Sequence, residues 1–200
     1  MTFYEIGCVL ESFLLSIGIV ALAEIGDKTQ LLAFLLAARF QRPLPIIAGI
    51  FLATVLNHGL AGAVGVWVTQ QVDADVLRWV LGLGFLAMAA WTLIPDQIED
   101  DETHIAHRLG VFGATVVTFF LAEMGDKTQI ATVALAAKFD DPVSVIMGTT
   151  LGMMVANVPA VYAGDKFGTR IPMRWVHAVA ALVFVALGVV TLFGLDASVF

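Results

Sequence analysis

AEIGDKTQ at Ala23–Gln30 and AEMGDKTQ at Ala122–Gln129 are one eight-residue stretch written twice, with Ile25 exchanged for Met124. Mostly apolar residues, Phe13–Ala23, lead into the first copy, and apolar or small ones, Leu31–Ala38, follow it before Arg39. Glu24, Asp27 and Lys28 therefore stand in the middle of an apolar run, and so do Glu123, Asp126 and Lys127. At the centre of a bilayer each such charge costs about 3 kcal/mol on insertion scales, so charges kept there mark a functional site by default. Leu or Ala would carry no such cost, yet the same charges occur twice.

The repeat extends beyond the motif. A shift of 99 positions lays Glu24 on Glu123, Asp27 on Asp126, Ala38-Arg39-Phe40 on Ala137-Lys138-Phe139, Pro43 on Pro142 and Gly49 on Gly148. Six apolar stretches fill the chain, at Phe13–Ala37, Leu44–Val68, Trp79–Ile94, Val111–Ala137, Val143–Ala163 and Trp175–Leu195. Three per half is an odd number, so the second half inserts upside down relative to the first. That is the inverted-repeat plan of secondary transporters, with the substrate site near the midplane where the halves meet. The expected fold is an all-α integral membrane protein of six transmembrane helices as two inverted three-helix repeats. Residues 1–95 form the first repeat, 96–109 an acidic cytoplasmic connection and 110–200 the second repeat, in one transmembrane domain. Long runs without polar/apolar alternation favour helices over a barrel.

Composition agrees. The chain has 200 residues, 60% hydrophobic and 14% charged, with a mean hydropathy of +0.93. Soluble domains are about 25% charged, and 200 residues leave room for roughly six spans of about 20 residues. Pro43, Pro95, Pro142 and Pro172 fall near span ends, where a missing backbone donor does least harm. The net charge of −7 argues against nucleic acid as a partner. Cys8 is the only cysteine, so an internal disulfide and a CxxC site are excluded. Glu5 and Glu11 flank the first apolar run where a signal peptide would be basic, so the run is read as a retained span. The connections after spans one, three and five carry Arg39, Arg42, Arg108, Lys166, Arg170 and Arg174, against Arg78 and Lys138 after spans two and four. The positive-inside rule then puts the first set in the cytoplasm and both termini outside it.

On a continuous helix Glu24 and Asp27 share a face, as do Glu123 and Asp126, and Lys28 and Lys127 can each neutralise the glutamate four residues before. Bringing the two halves together gathers four carboxylates and two ammoniums, leaving two negative charges for one divalent cation to balance. Gln30 and Gln129 add neutral oxygens; Gly26 and Gly125 loosen the helix and free carbonyls. Hard oxygen donors suit Ca²⁺, Mg²⁺ or Mn²⁺ better than ions that favour His and Cys. The bland alternative is that the Glu–Lys pairs are structural ion pairs holding spans together.

These motifs resemble the duplicated E-x-G-D-K/R-T/S signature of uncharacterised protein family 0016, the Gdt-type transporters. Its members include Golgi Mn²⁺/Ca²⁺ transporters of yeast and humans and bacterial manganese exporters. The resemblance spans the whole chain. It implies cation/proton antiport by a six-helix membrane protein, with Glu24, Asp27, Glu123 and Asp126 as metal ligands and Lys28, Thr29, Lys127 and Thr128 completing the motifs. It further implies a multi-pass protein of the bacterial inner membrane that exports Mn²⁺ or Ca²⁺ in exchange for H⁺, with no cofactor; a homodimer is left open.

Weaker signals surround the motifs. Asn57 and His58 fall inside the second span and Asn157 inside the fifth, where they extend the site, carry protons or make interhelical hydrogen bonds. Ser16 and Thr115 correspond under the shift and read as back-bonded to their own helices. Asp96–Glu102 places five acids in seven residues, with His104 and His107 following: a solvated connection, or a funnel that gathers cations. Gly59, Gly62 and Gly65 recur at close-packing spacing. Two other functions compete with antiport: a metal-dependent intramembrane phosphatase-type enzyme, and a passive divalent-cation channel. The first also needs a nucleophile or a phosphate-gripping Arg cluster, which the predicted spans lack. A non-transporting assembly or sensor subunit is disfavoured by the short connections.

Overall fold

The computed structural model describes residues 3–93, 106–163 and 173–193, with nothing but helix as regular structure among them. The helices are α1 (Phe3–Glu24), α2 (Lys28–Phe40), α3 (Pro43–Gln71), α4 (Ala74–Thr92), α5 (Ala106–Glu123), α6 (Lys127–Lys138), α7 (Pro142–Ala163) and α8 (Met173–Phe193). Asp96–Glu102, His104, Lys166 and Arg170 lie outside the described residues, as do Pro95 and Pro172.

By length and composition three helices can cross a membrane, within Gly7–Glu24, Pro43–Gln71 and Pro142–Tyr162. A fourth crossing is the pair Leu109–Glu123 and Lys127–Lys138, bent by 71°. The first and fourth apolar stretches are thus corrected. Neither Phe13–Ala37 nor Val111–Ala137 is one continuous helix; each breaks inside the motif. The cause is local. Gly26 and Gly125 adopt φ of +86° and +78°, a left-handed conformation that L side chains adopt only at a cost of about 1–2 kcal/mol. Pro43 and Pro142 each open a helix at its first position, where the absent N–H has no intrahelical partner to lose.

Packing runs almost entirely between the halves. α1 lies along α7, α5 along α3, and α4 along α8, while α2 leans on α7 and α6 on α3. The approach is close because glycines sit at the crossings. A Cβ at Gly49 would meet the Thr115 side chain at 2.7 Å, and one at Gly148 would meet Phe13 O at 2.6 Å and the Ser16 side chain at 2.8 Å. Gly49 and Gly148 correspond under the 99-residue shift, and so do Ser16 and Thr115, so the two crossings are the same contact built twice. Phe85 and Phe184, another corresponding pair, stack on each other with centroids 6.4 Å apart. Apolar side chains such as Leu14, Leu60, Trp67, Val80 and Leu182 cover the outside, as a bilayer solvent demands.

Candidate metal centre

The two breaks meet in the interior and are built alike. α1 ends on Glu24 and α5 on Glu123; the glycine turns the chain; Asp27 and Asp126 then stand at the N-caps of α2 and α6 in extended conformation. An N-cap aspartate ordinarily accepts a hydrogen bond from its own helix's first N–H groups. Neither carboxylate does so here. Gln30 and Gln129 take over that bracing: their Oε1 atoms accept the Gly26 N–H at 2.9 Å and the Gly125 N–H at 2.7 Å. The aspartates are released to face the opposite half.

There they meet the lysines. Lys127 Nζ donates to Asp27 Oδ1 at 3.3 Å, with both side chains 2% exposed. Lys28 Nζ lies 4.0 Å from Asp126 Oδ1, with Lys28 27% exposed. This corrects the expected pairing. Each lysine serves the aspartate of the other half rather than the glutamate four residues before it, because the break removes the helical register on which that i,i+4 geometry depends. The glutamates are held by hydroxyls: Thr29 Oγ1 donates to Glu24 Oε2 at 2.5 Å, and Thr128 Oγ1 donates to Glu123 Oε2 at 3.1 Å.

Carboxylate oxygens of Glu24, Asp27 and Asp126 lie within 4.8 Å of one another, all buried. Glu123 is equally buried but falls outside that trio. Among the described residues Glu24 Oε1 and Glu123 Oε1 are buried without a hydrogen-bond partner. A buried acceptor left unsatisfied costs about 1–3 kcal/mol or more, so these oxygens suit a cation or a proton. Three hard oxygens from two halves can hold a divalent ion of the Mn²⁺ or Ca²⁺ type.

The outer residues divide. Asn57 joins the site's frame: its Nδ2 donates to Phe120 O at 3.1 Å, and its Oδ1 accepts Gln129 Nε2 at 3.4 Å. Gln30 Nε2 makes the corresponding bond to Ala156 O at 3.0 Å, and position 156 is the repeat mate of 57. Asn157 bonds within its own helix, to Met153 O at 3.1 Å and Met153 Sδ at 2.9 Å, with Oδ1 left over. His58 is fully buried, and neither ring nitrogen has a partner among the described residues. Thr115 back-bonds to Val111 O at 2.7 Å as expected; Ser16 Oγ has no such partner. Sequence reading missed the cross-half lysine pairs, and the signal for them was the pair of positive-φ glycines that ends each helix before its lysine.

A family profile described as divalent cation/proton antiporter GDT1 matches the chain twice, over residues 12–100 and 111–198. The chain belongs to the GDT1 family. The two GDT1 matches begin 99 residues apart, the spacing of the motifs. Among relatives, a Vibrio cholerae protein named "putative manganese exporter" is 50% identical over 186 residues, covering 92% of each chain. GDT1-like protein sll0615 of Synechocystis is 29% identical over 203 residues, covering 91% of this chain and 97% of its own. GDT1-like protein 3 of Arabidopsis thaliana is 28% identical over 211 residues, covering 92% of this chain and 71% of its own. No solved structure matches. GDT1 membership makes the chain a membrane transporter rather than an enzyme, which retires the phosphatase alternative.

Proposed function

We propose that the protein exports Mn²⁺ from a bacterial cytoplasm in exchange for protons, with Ca²⁺ as the competing substrate. Glu24, Asp27, Asp126 and Glu123 form one site shared by two inverted three-helix repeats, 1–95 and 110–200, joined by the connection 96–109. The observation that carries this reading is the buried trio of Glu24, Asp27 and Asp126, contributed by both halves and closing to within 4.8 Å at two helix breaks. Broken helices with polar backbone at mid-span are the construction expected where substrate ions bind. The bacterial relative's name supports manganese as the ion and export as the direction. Six spans, the inner membrane as location and both termini outside the cytoplasm complete the proposal.

In the proposed cycle the carboxylates hold the metal in one state and protons in the other. Lys127 and Lys28 brace the aspartates, Thr29 and Thr128 orient the glutamates, and Gln30 and Gln129 keep the breaks open. Asn57 ties the second break to α3; His58 and Asn157 offer unspent polar atoms nearby in sequence. The test is Mn²⁺ and Ca²⁺ flux into proteoliposomes holding wild-type or Asp126→Asn protein, with and without a pH gradient. Flux that follows the gradient and vanishes in the variant is expected, and the faster ion names the substrate. Flux indifferent to the gradient would make the protein a passive channel; flux unaltered in Asp126→Asn would remove the site.

A further inference from the structure

Outside the motifs, α3 and α7 carry buried polar atoms that the fold does not use. Thr54 Oγ1, Thr150 Oγ1, both ring nitrogens of His58 and Asn157 Oδ1 have no hydrogen-bond partner among the described residues. All four side chains are buried. A helical threonine ordinarily gives its hydroxyl to a carbonyl one turn back. Thr115, Thr118, Thr132 and Thr149 do so, at 2.7, 2.8, 2.7 and 3.1 Å. Thr54 and Thr150 do not.

These atoms share one seam. Thr54, His58 and Gly62 are four residues apart and so lie on one face of α3. A Cβ on Gly62 would meet Ile146 of α7 at 2.6 Å, so that face looks onto α7. Ile146, Thr150 and Asn157 recur there at helical spacing. Near the start of α3, Ile46 and Ile50 share a core cluster with Val161, near the end of α7. The two helices therefore run antiparallel. His58 is one turn back from Gly62 and Thr150 one turn on from Ile146, which puts them level. Thr54 and Asn157 follow toward the start of α3, along about 10 Å of seam at 1.5 Å per residue. Both breaks adjoin this line. Asn57, next to His58, accepts Gln129 Nε2 at 3.4 Å, and Ala156 O, next to Asn157, accepts Gln30 Nε2 at 3.0 Å.

Buried polar atoms so placed are ordinarily satisfied by ordered water. A metal ion fits poorly, because the seam has no carboxylate: α7 carries no charged residue, and His58 is the only ionisable residue of α3. The charged or ionisable residues on the other helices packed against α3 are Lys28 and Arg39 of α2, His107, Arg108 and Glu123 of α5, and Lys127 and Lys138 of α6. These sit in the motifs or at helix ends.

We propose that the α3/α7 seam binds a line of water that carries the exchanged proton between the two breaks, with His58 as its relay and Thr54, Thr150 and Asn157 holding the water. The inference rests on the antiport reading and gives the proton a route separate from that of the metal. A water hands its proton to the unprotonated ring nitrogen of His58, and the other nitrogen releases its proton to the next water. Rotation of the ring restores the starting tautomer. One proton has moved, and the imidazole ends neutral.

The experiment uses full-length protein in proteoliposomes. Exchange of labelled for unlabelled Mn²⁺ without a pH gradient moves no net proton, whereas uptake driven by a gradient does. His58→Phe removes the relay; His58→Gln keeps hydrogen bonds to water but cannot pass a proton through. In both, gradient-driven uptake is expected to fall by about 100-fold, the lower range for a positioned proton carrier, while Mn²⁺/Mn²⁺ exchange persists. Undiminished gradient-driven uptake in both variants, or equal loss of uptake and exchange, overturns the relay. The water is read separately by radiolytic oxidation, in which X-rays activate a bound water and the side chain beside it is oxidised. Met153 is wholly buried with its Sδ 2.9 Å from Asn157 Nδ2. It is expected to oxidise well above Met88, which is 2% exposed within the apolar core around α4 and α8. Thr54→Val with Thr150→Val is expected to lower that oxidation. Met153 as inert as Met88 overturns the water line even where gradient-driven flux keeps the antiporter standing. Met153 oxidised as stated while neither Mn²⁺ nor Ca²⁺ moves would end the antiport reading, and the proton role with it, and leave the water site.

Discussion

Lys127 and Asp27 form a buried pair contributed by opposite halves. Removing one partner of a buried pair strands the other charge, which costs about 3–5 kcal/mol, whereas removing both is often close to neutral. Lys127→Ala is therefore expected to lower stability by about that amount in a thermal or denaturant melt in detergent. Adding Asp27→Ala should restore most of it while metal flux stays lost; a double variant that regains flux would contradict Asp27 as a ligand. Thr29 works differently. Its hydroxyl orients Glu24 by a hydrogen bond of 2.5 Å, and loss of such a support typically weakens metal affinity about 10- to 100-fold. Thr29→Val should raise the Mn²⁺ concentration for half-maximal flux by about tenfold, whereas Thr29→Ser, which keeps the donor, should not. The residue types at the site were legible in the sequence; their partners were not. Nothing in the string EMGDK says that its lysine will pair with an aspartate 100 residues away, because that depends on where the second break lands in space.

At the level of the helix, glycines take two separate roles. Gly125 lies at φ +78° with nothing within 4 Å of a would-be Cβ, so its role is conformational. Gly125→Ala should cost about 1–2 kcal/mol through backbone strain alone, and should disturb transport because the break sets the direction of Asp126. Gly148 has ordinary helical geometry but sits against the backbone of α1, so that a Cβ there would lie 2.6 Å from Phe13 O. Gly148→Ala forces α1 and α7 apart, and such overpacking costs about 1–3 kcal/mol. Gly59, with nothing within 4 Å, is the control: Gly59→Ala should leave the melting temperature unchanged or slightly raised. Equal melting temperatures for Gly148→Ala and Gly59→Ala would contradict the close crossing. Apolar stretches located α3, α4, α7 and α8 to within a few residues. They missed the breaks between α1 and α2 and between α5 and α6, because a hydropathy pattern continues smoothly across a left-handed glycine.

Taken whole, the molecule has no core belonging to one half. The principal partner of α1 is α7, that of α5 is α3 and that of α4 is α8. Residues 1–95 expressed alone should therefore fail to give a monodisperse protein in detergent, and co-expression with 96–200 should restore a complex that carries both motifs. A stable first half on its own would show that its helices pair internally. The sequence by itself determined the membrane environment, the helical class, the duplication and the acids set within apolar runs, because composition and a 99-residue correspondence are properties of the string. Only the tertiary structure decided that each motif is a break rather than a helix face, that the lysines cross between halves, and that Glu24, Asp27 and Asp126 bring carboxylate oxygens within 4.8 Å of one another. These are distances between chain segments remote in sequence, set by how α3 and α7 pack between the two broken helices, and a string aligned only with itself carries no such distance.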